Sequence, residues 1–212
     1  MSADSALTRT RHALHAVAEL VLAGGQYAEC SRIALRVTPG GFATRYEPDL
    51  RVDGTDVVAG DLRVSIDGRT AREIAAAIGI ELRTLEDVYT DGAAHGPDEI
   101  LALDAAAATS LTQAWSDGHA ALQLVAPECD AILWPEHFDV GITVGEVNLG
   151  VSPGDASYAE PYAYVGPWNV PQDDMFFDAP FGAARPISTL DGAPGIAAFF
   201  SEGLARATPN LS

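Results

Sequence analysis

The sequence predicts an α+β fold, a single mainly antiparallel sheet with helices packed on one face. Three observations predict it. Apolar and polar residues alternate through short runs both before and after one long stretch of helical period. These runs meet mostly through brief turns rich in Gly, Asp and Pro, the connections of an antiparallel meander. Finally, 48% apolar and 20% charged residues are ordinary values for a chain with a real core. Because strands flank the long helix on both sides, residues 1–212 are expected as one domain, which at this size needs no disulfide staples.

Each element has its own signal. From Ser5 to Leu22, Leu7, Leu14, Val17, Ala18 and Val21 recur at helical spacing, and Gly24-Gly25 is the expected stop. Ile33, Leu35 and Val37 then alternate up to Thr38-Pro39-Gly40-Gly41, and Phe42 to Tyr46 returns as a second strand. Leu50 and Val52 face Val57 across Asp53-Gly54, and Leu62, Val64 and Ile66 extend the meander. Thr70 with Glu73 is a capping box for a short helix ending near Gly79. Residues 83–103 are acidic and turn-rich and read as a mobile loop. A long helix starts at Asp104 as N-cap and stops before Pro127. The final third reads as strand, turn and strand over Ile132 to Val151, then a Pro- and Gly-dense stretch, then a last helix with Pro194 at its start.

The hairpin at residues 137–152 holds the most informative pattern. Gly145-Glu146 can make a two-residue type II′ turn, which pairs Val144 with Val147, Ile142 with Leu149 and Val140 with Val151 on a core face. The opposite face then sets Thr143 across from Asn148, Gly141 across from Gly150 and Asp139 across from Ser152. Two facing glycines leave a bare lane, and glycine weakens a strand unless something approaches the backbone closely. Two occupants are open at this point. One is an aromatic side chain of the same chain; the other is a small-molecule ligand, in a groove walled by Trp134, Tyr162, Tyr164 and Trp168 with polar ends at His137, Asp139 and Asn148.

Strand alternation would project His137 and Asp139 to one side, where they could serve a hydrolase or metal-assisted enzyme as base and orienting acid. No spacing matches a metal signature, and no cofactor-binding motif is present. Gly150-Val151-Ser152-Pro153-Gly154 spells GxSxG, but Ser152 precedes no helix and has no assignable base, so it forms no nucleophile elbow; GxxxxGK, GxGxxG and HExxH do not occur. On the first helix His12, His15 and Glu19 share a face, a pattern an exposed His with a nearby Glu explains as well. His119 is similarly placed on the long helix, and His95 sits alone in a loop.

Composition narrows the partners. Thirty acidic residues face 12 basic ones, all arginine, for a formal net charge of −18. Such a surface repels phosphates and anionic lipid, so neither nucleic acid nor membrane is an expected partner. An acidic loop on a non-enzymatic interaction scaffold is a third functional class. Cys30 and Cys129 form no framework, and no secretory or membrane-spanning pattern is present, so the cytoplasm is the expected compartment.

At LWPEHFD, GVSPGD and EPYAYVGPW the chain resembles a family of uncharacterised actinobacterial proteins. Through RVTPGGFAT, FDVGIT, PYAYV and FFDAPFG it is distantly similar to a broader bacterial domain of unknown function. That resemblance implies a helix histidine at His15 and a strand aspartate at Asp139, and it implies no activity.

Overall fold

The computed structural model describes residues 5–90, 92 and 95–208. It has the expected α+β architecture, with ten strands in one antiparallel sheet. The chain divides into two compact units, Met1–Gln113 with Leu133–Phe138, and Ala114–Ile132 with Asp139–Ser212. Among the described residues no helix is long and apolar enough to cross a membrane.

In the first unit the strands β1 (Leu35–Thr38), β2 (Gly41–Thr44), β3 (Leu50–Asp53), β4 (Asp56–Ala59) and β5 (Leu62–Ser65) form the meander. β6 (Ile132–Trp134) pairs with β1 at Leu35 and Leu133. The register makes one cross-strand row of Val37, Phe42, Val52, Val57 and Val64, which is the core face. The helices α1 (Ala6–Ala16), α2 (Gly24–Cys30) and α3 (Ala71–Ile78) belong to this unit.

The expected helix stop at Gly24-Gly25 is not there. Helix α1 runs through a π-helical turn, Val17–Ala23, directly into α2, which ends at a left-handed Ser31. The glycines serve close approach instead. A Cβ on Gly24 would lie 2.3 Å from the Arg83 carbonyl oxygen, and one on Gly25 would lie 3.1 Å from Ile80. Nothing in helical periodicity distinguishes a glycine that ends a helix from one that lets another segment touch it.

The capping box at Thr70 is formed, with Glu73 N–H donating to Thr70 Oγ1 and Thr70 N–H to the Glu73 carboxylate. Of the acidic segment 83–103, residues 91, 93 and 94 lie outside the described residues. The far end is tied down: Arg72 N–H donates to the Pro97 carbonyl, Leu101 N–H to Arg69, and Leu103 N–H to the Asp67 carboxylate. Leu85 and Leu101 are buried.

The second unit contains β7 (Asp139–Val144), β8 (Val147–Ser152), β9 (Tyr162–Pro167), β10 (Ala183–Pro186) and α5 (Gly192–Ala207), with spatial order β10-β9-β8-β7. The long helix α4 (Ala105–Val125) begins in the first unit and continues into the second. Its N-cap is Asp104, whose carboxylate accepts from Ala107 N–H. Gly118 lies on Val151 and Val140, and Gly203 of α5 lies on Val165, so both helices seat on the apolar face through a residue without a side chain. Helices therefore occupy one face of this unit's strands, and the opposite face carries the glycine lane.

Candidate functional site

The hairpin register is as the sequence implies. Gly141 pairs with Gly150, Thr143 with Asn148, and Val144 with Val147. Gly145 has φ +58 and Glu146 does not have positive φ, the combination of a type II′ turn. Thr143 Oγ1 donates to the Asn148 side-chain oxygen across the strands at 2.9 Å.

The lane between the glycines is filled by Tyr164. Tyr164 is itself opposite Gly150 in the β8–β9 pairing, and its hydroxyl donates to the Asp139 carboxylate. A Cβ on Gly150 would sit 2.5 Å from the Tyr164 hydroxyl, and one on Gly141 would sit 3.0 Å from it. The two glycines thus accept a ring of the same protein, and the expected ligand groove over the lane is occupied. Burial and the nearby Asp139 charge push the Tyr164 phenol well above its ordinary value, so it stays a neutral donor. Next to it, Tyr162 donates to Asp155 at 2.6 Å, and Tyr158, Tyr162 and Phe181 continue the aromatic cluster. Trp168 is 64% exposed and outside this packing.

The proposed His137–Asp139 pair is not supported by the backbone. β7 begins only at Asp139, and Phe138 before it adopts a left-handed conformation, φ +55. The two-residue alternation that would have aligned the side chains is therefore broken. His137 is exposed and lies 4.0 Å from Glu136, whereas Asp139 is buried. His137 belongs to the first unit and Asp139 to the second.

A different group of residues converges in the first unit, and it includes His15. The His15 ring stacks on Phe138, with centroids 5.0 Å apart and planes at 6°, and Nε2–H donates to the Pro135 carbonyl at 2.7 Å. Its pKa is lowered from 6.5 to about 4, first by burial and then by the charges of His12, His95 and His137, while the Pro135 bond opposes the shift. The ring is therefore neutral at pH 7. His12 and His95 meet edge to face at 5.7 Å, and His95 lies 3.7 Å from Glu99.

Glu19 stands on the π-helical turn, where all seven residues are buried. Gly92 presses directly onto its carboxylate, since a Cβ there would be 2.4 Å from Glu19 Oε1. Tyr89 brings a buried hydroxyl without a hydrogen-bond partner among the described residues. Burial, followed by the charges of Glu19 and Glu136, pushes this phenol upward.

Two backbone features single out the same place. π-helical turns are rare and often found at functional sites, and a bulky residue at positive φ is strained unless its surroundings hold it. Phe138 is held between His15 and Phe42, the latter at 5.4 Å and 83°. Among the described residues no group of three or more His, Cys, Asp or Glu side chains is disposed to hold a metal ion. No protein family model, curated protein or solved structure matches the chain.

Proposed function

We propose that the chain is a small-molecule binding protein whose ligand seats at the histidine cluster of the first unit. One observation carries the reading: the His12 ring, on the helix that also presents His15, meets the His95 ring edge to face at 5.7 Å, and the His15 ring stacks on Phe138 and bonds the Pro135 carbonyl, close to His137 in the chain. The same unit buries the Glu19 carboxylate and a Tyr89 hydroxyl that has no hydrogen-bond partner among the described residues. The carboxylates of Glu99 and Glu136, 3.7 Å from His95 and 4.0 Å from His137, disfavour an anion, so the fitting ligand is a small polar molecule with hydrogen-bond donors, such as an amine or polyol.

Imidazole signals provide the test. With the five histidine rings isotopically labelled, pools of amines, amino acids and polyols are titrated in, and the ring resonances are followed. Binding at the cluster shifts His12, His15, His95 and His137 and leaves His119 in place. A ligand that shifts His119 alone, or the rings of Tyr162 and Tyr164, belongs elsewhere and sinks the assignment.

A further inference from the structure

The outer face of the first unit's sheet carries a feature at odds with the charge of the whole. Its register aligns Arg36, Ala43, Arg51, Val58 and Arg63 in one cross-strand row, on the face opposite Phe42 and Val52. The three arginines occupy alternate strands and are exposed, while Ala43 and Val58 between them are 0% and 4% exposed. Strands spaced about 4.8 Å apart place successive arginines of the row roughly 10 Å apart. Arg63 is already neutralised, donating to Asp53 at 2.6 Å and Asp56 at 3.0 Å. Arg51 and Arg36 pair with no carboxylate among the described residues; Arg36 donates through Nε to the Thr44 carbonyl. Among the described residues, a chain with 30 carboxylates and 12 arginines leaves these two guanidiniums of one row without one.

An exposed tryptophan adjoins them. The Leu35–Leu133 pairing puts Trp134 on the same face as Arg36, one strand away, and it is 38% exposed. Tryptophan and arginine are among the residue types that most often anchor protein interfaces. We propose that this face docks an acidic polypeptide segment of a partner protein, its carboxylates on Arg36 and Arg51 and an apolar side chain against Trp134. Charge complementarity selects that occupant. At physiological salt, charges farther than about 8 Å are screened, so the local pair can act within an acidic protein. A nucleic acid brings a charge every few ångströms, and its further phosphates would meet the acidic excess of the rest of the chain. Asp53 and Asp56, at the Arg63 end of the row, confine a bound acidic segment to the Arg36–Arg51 side.

The probe is a fluorescein-labelled synthetic peptide of glutamate and leucine, read by fluorescence anisotropy against the full chain at low and physiological salt. Binding that falls about tenfold or more in Arg36→Glu/Arg51→Glu and also falls in Trp134→Ala, yet survives Arg69→Glu, is the expected result. Arg36→Gln/Arg51→Gln, which removes charge while sparing the stems, repeats the measurement if reversal disturbs folding, with circular dichroism as the check. The proposal is overturned if the wild-type chain does not bind the peptide, if the double variants bind it unchanged, or if single-stranded DNA binds as tightly at the same face. Self-association that disappears in the same variants would also overturn it, by giving the face to a second copy.

Discussion

A methyl group added at Gly150 probes whether Tyr164 closes the hairpin lane in solution. The new Cβ would lie 2.5 Å from the Tyr164 hydroxyl, 2.6 Å from its Cζ and 2.6 Å from the Val140 carbonyl oxygen. The ring can swing away, but the carbonyl belongs to the paired strand and moves only with the ladder. Overpacking of this kind costs about 1–3 kcal/mol. Swinging the ring away also breaks its hydrogen bond to the Asp139 carboxylate, worth roughly 1.5–3 kcal/mol. Replacing a strand glycine returns only about 0.5–1 kcal/mol. Gly150→Ala should therefore destabilise the second unit by about 2–5 kcal/mol, measured by urea unfolding with circular dichroism. Gly141→Ala should cost less, because its Cβ meets Tyr164 and the Leu149 carbonyl at the looser distance of 3.0 Å. In a Tyr164→Ala background the Gly150 penalty should shrink, the coupling expected of side chains in contact. A Gly150→Ala protein within about 0.5 kcal/mol of wild type would refute the packing and reopen the lane to a ligand.

Other outcomes follow from the same geometry. Between pH 6.5 and 4 an unfolded chain protonates His15 while the folded one resists, so stability should fall as pH falls through that window, and His15→Gln should flatten the slope; parallel urea profiles for the two proteins would count against it. Gly203→Ala should destabilise by about 1–3 kcal/mol despite the better helix propensity of alanine, because its Cβ would meet Val165 at 2.7 Å; a raised melting temperature would contradict the seating of α5. Phe138→Gly relieves a positive φ but removes the ring stacked on His15, so the His15 pKa should rise toward 6.5 in an imidazole titration, and an unchanged value would mean the ring does not shield it. Added sodium chloride should raise the melting temperature modestly by screening a net charge of −18, and a steady fall would show that the surface ion pairs dominate.

Where structure follows from short-range rules, the sequence was readable to the residue. The hairpin register came from one glycine at a two-residue turn and from three apolar pairs that a one-residue slip would expose. Thr70 and Asp104 announced their helices because a cap is a local hydrogen bond between neighbours in the chain. Gly24-Gly25 misled because the partner that needs their bareness, the Arg83 carbonyl, lies far along the chain. The same limit explains the lane. Facing glycines signalled a close approach, and PYAYVGPW offered the occupant, but the choice between tyrosine and ligand depends on β9 pairing beside β8.

The histidine cluster was hidden for a related reason. His12, His15 and Glu19 share a helical face by spacing alone, which many surface helices also do. What distinguishes this face is that His95 and His137 arrive from segments distant in sequence, and that the Phe138 backbone takes a left-handed turn no alternation rule foresees. The arginine row was closer to the surface of the sequence, since Arg36, Arg51 and Arg63 each occupy a polar position of an alternating strand. It becomes a row only once the strand register is known, because a shift of one residue in any pairing would send its arginines to the core face. A residue type placed against the prevailing charge and on the same face of three alternate strands is held there by the cost of burying a guanidinium. That cost forces the arginines outward, but it does not require them to lack carboxylate partners, and the absence of a carboxylate at Arg36 and Arg51 among the described residues is the part that calls for an occupant.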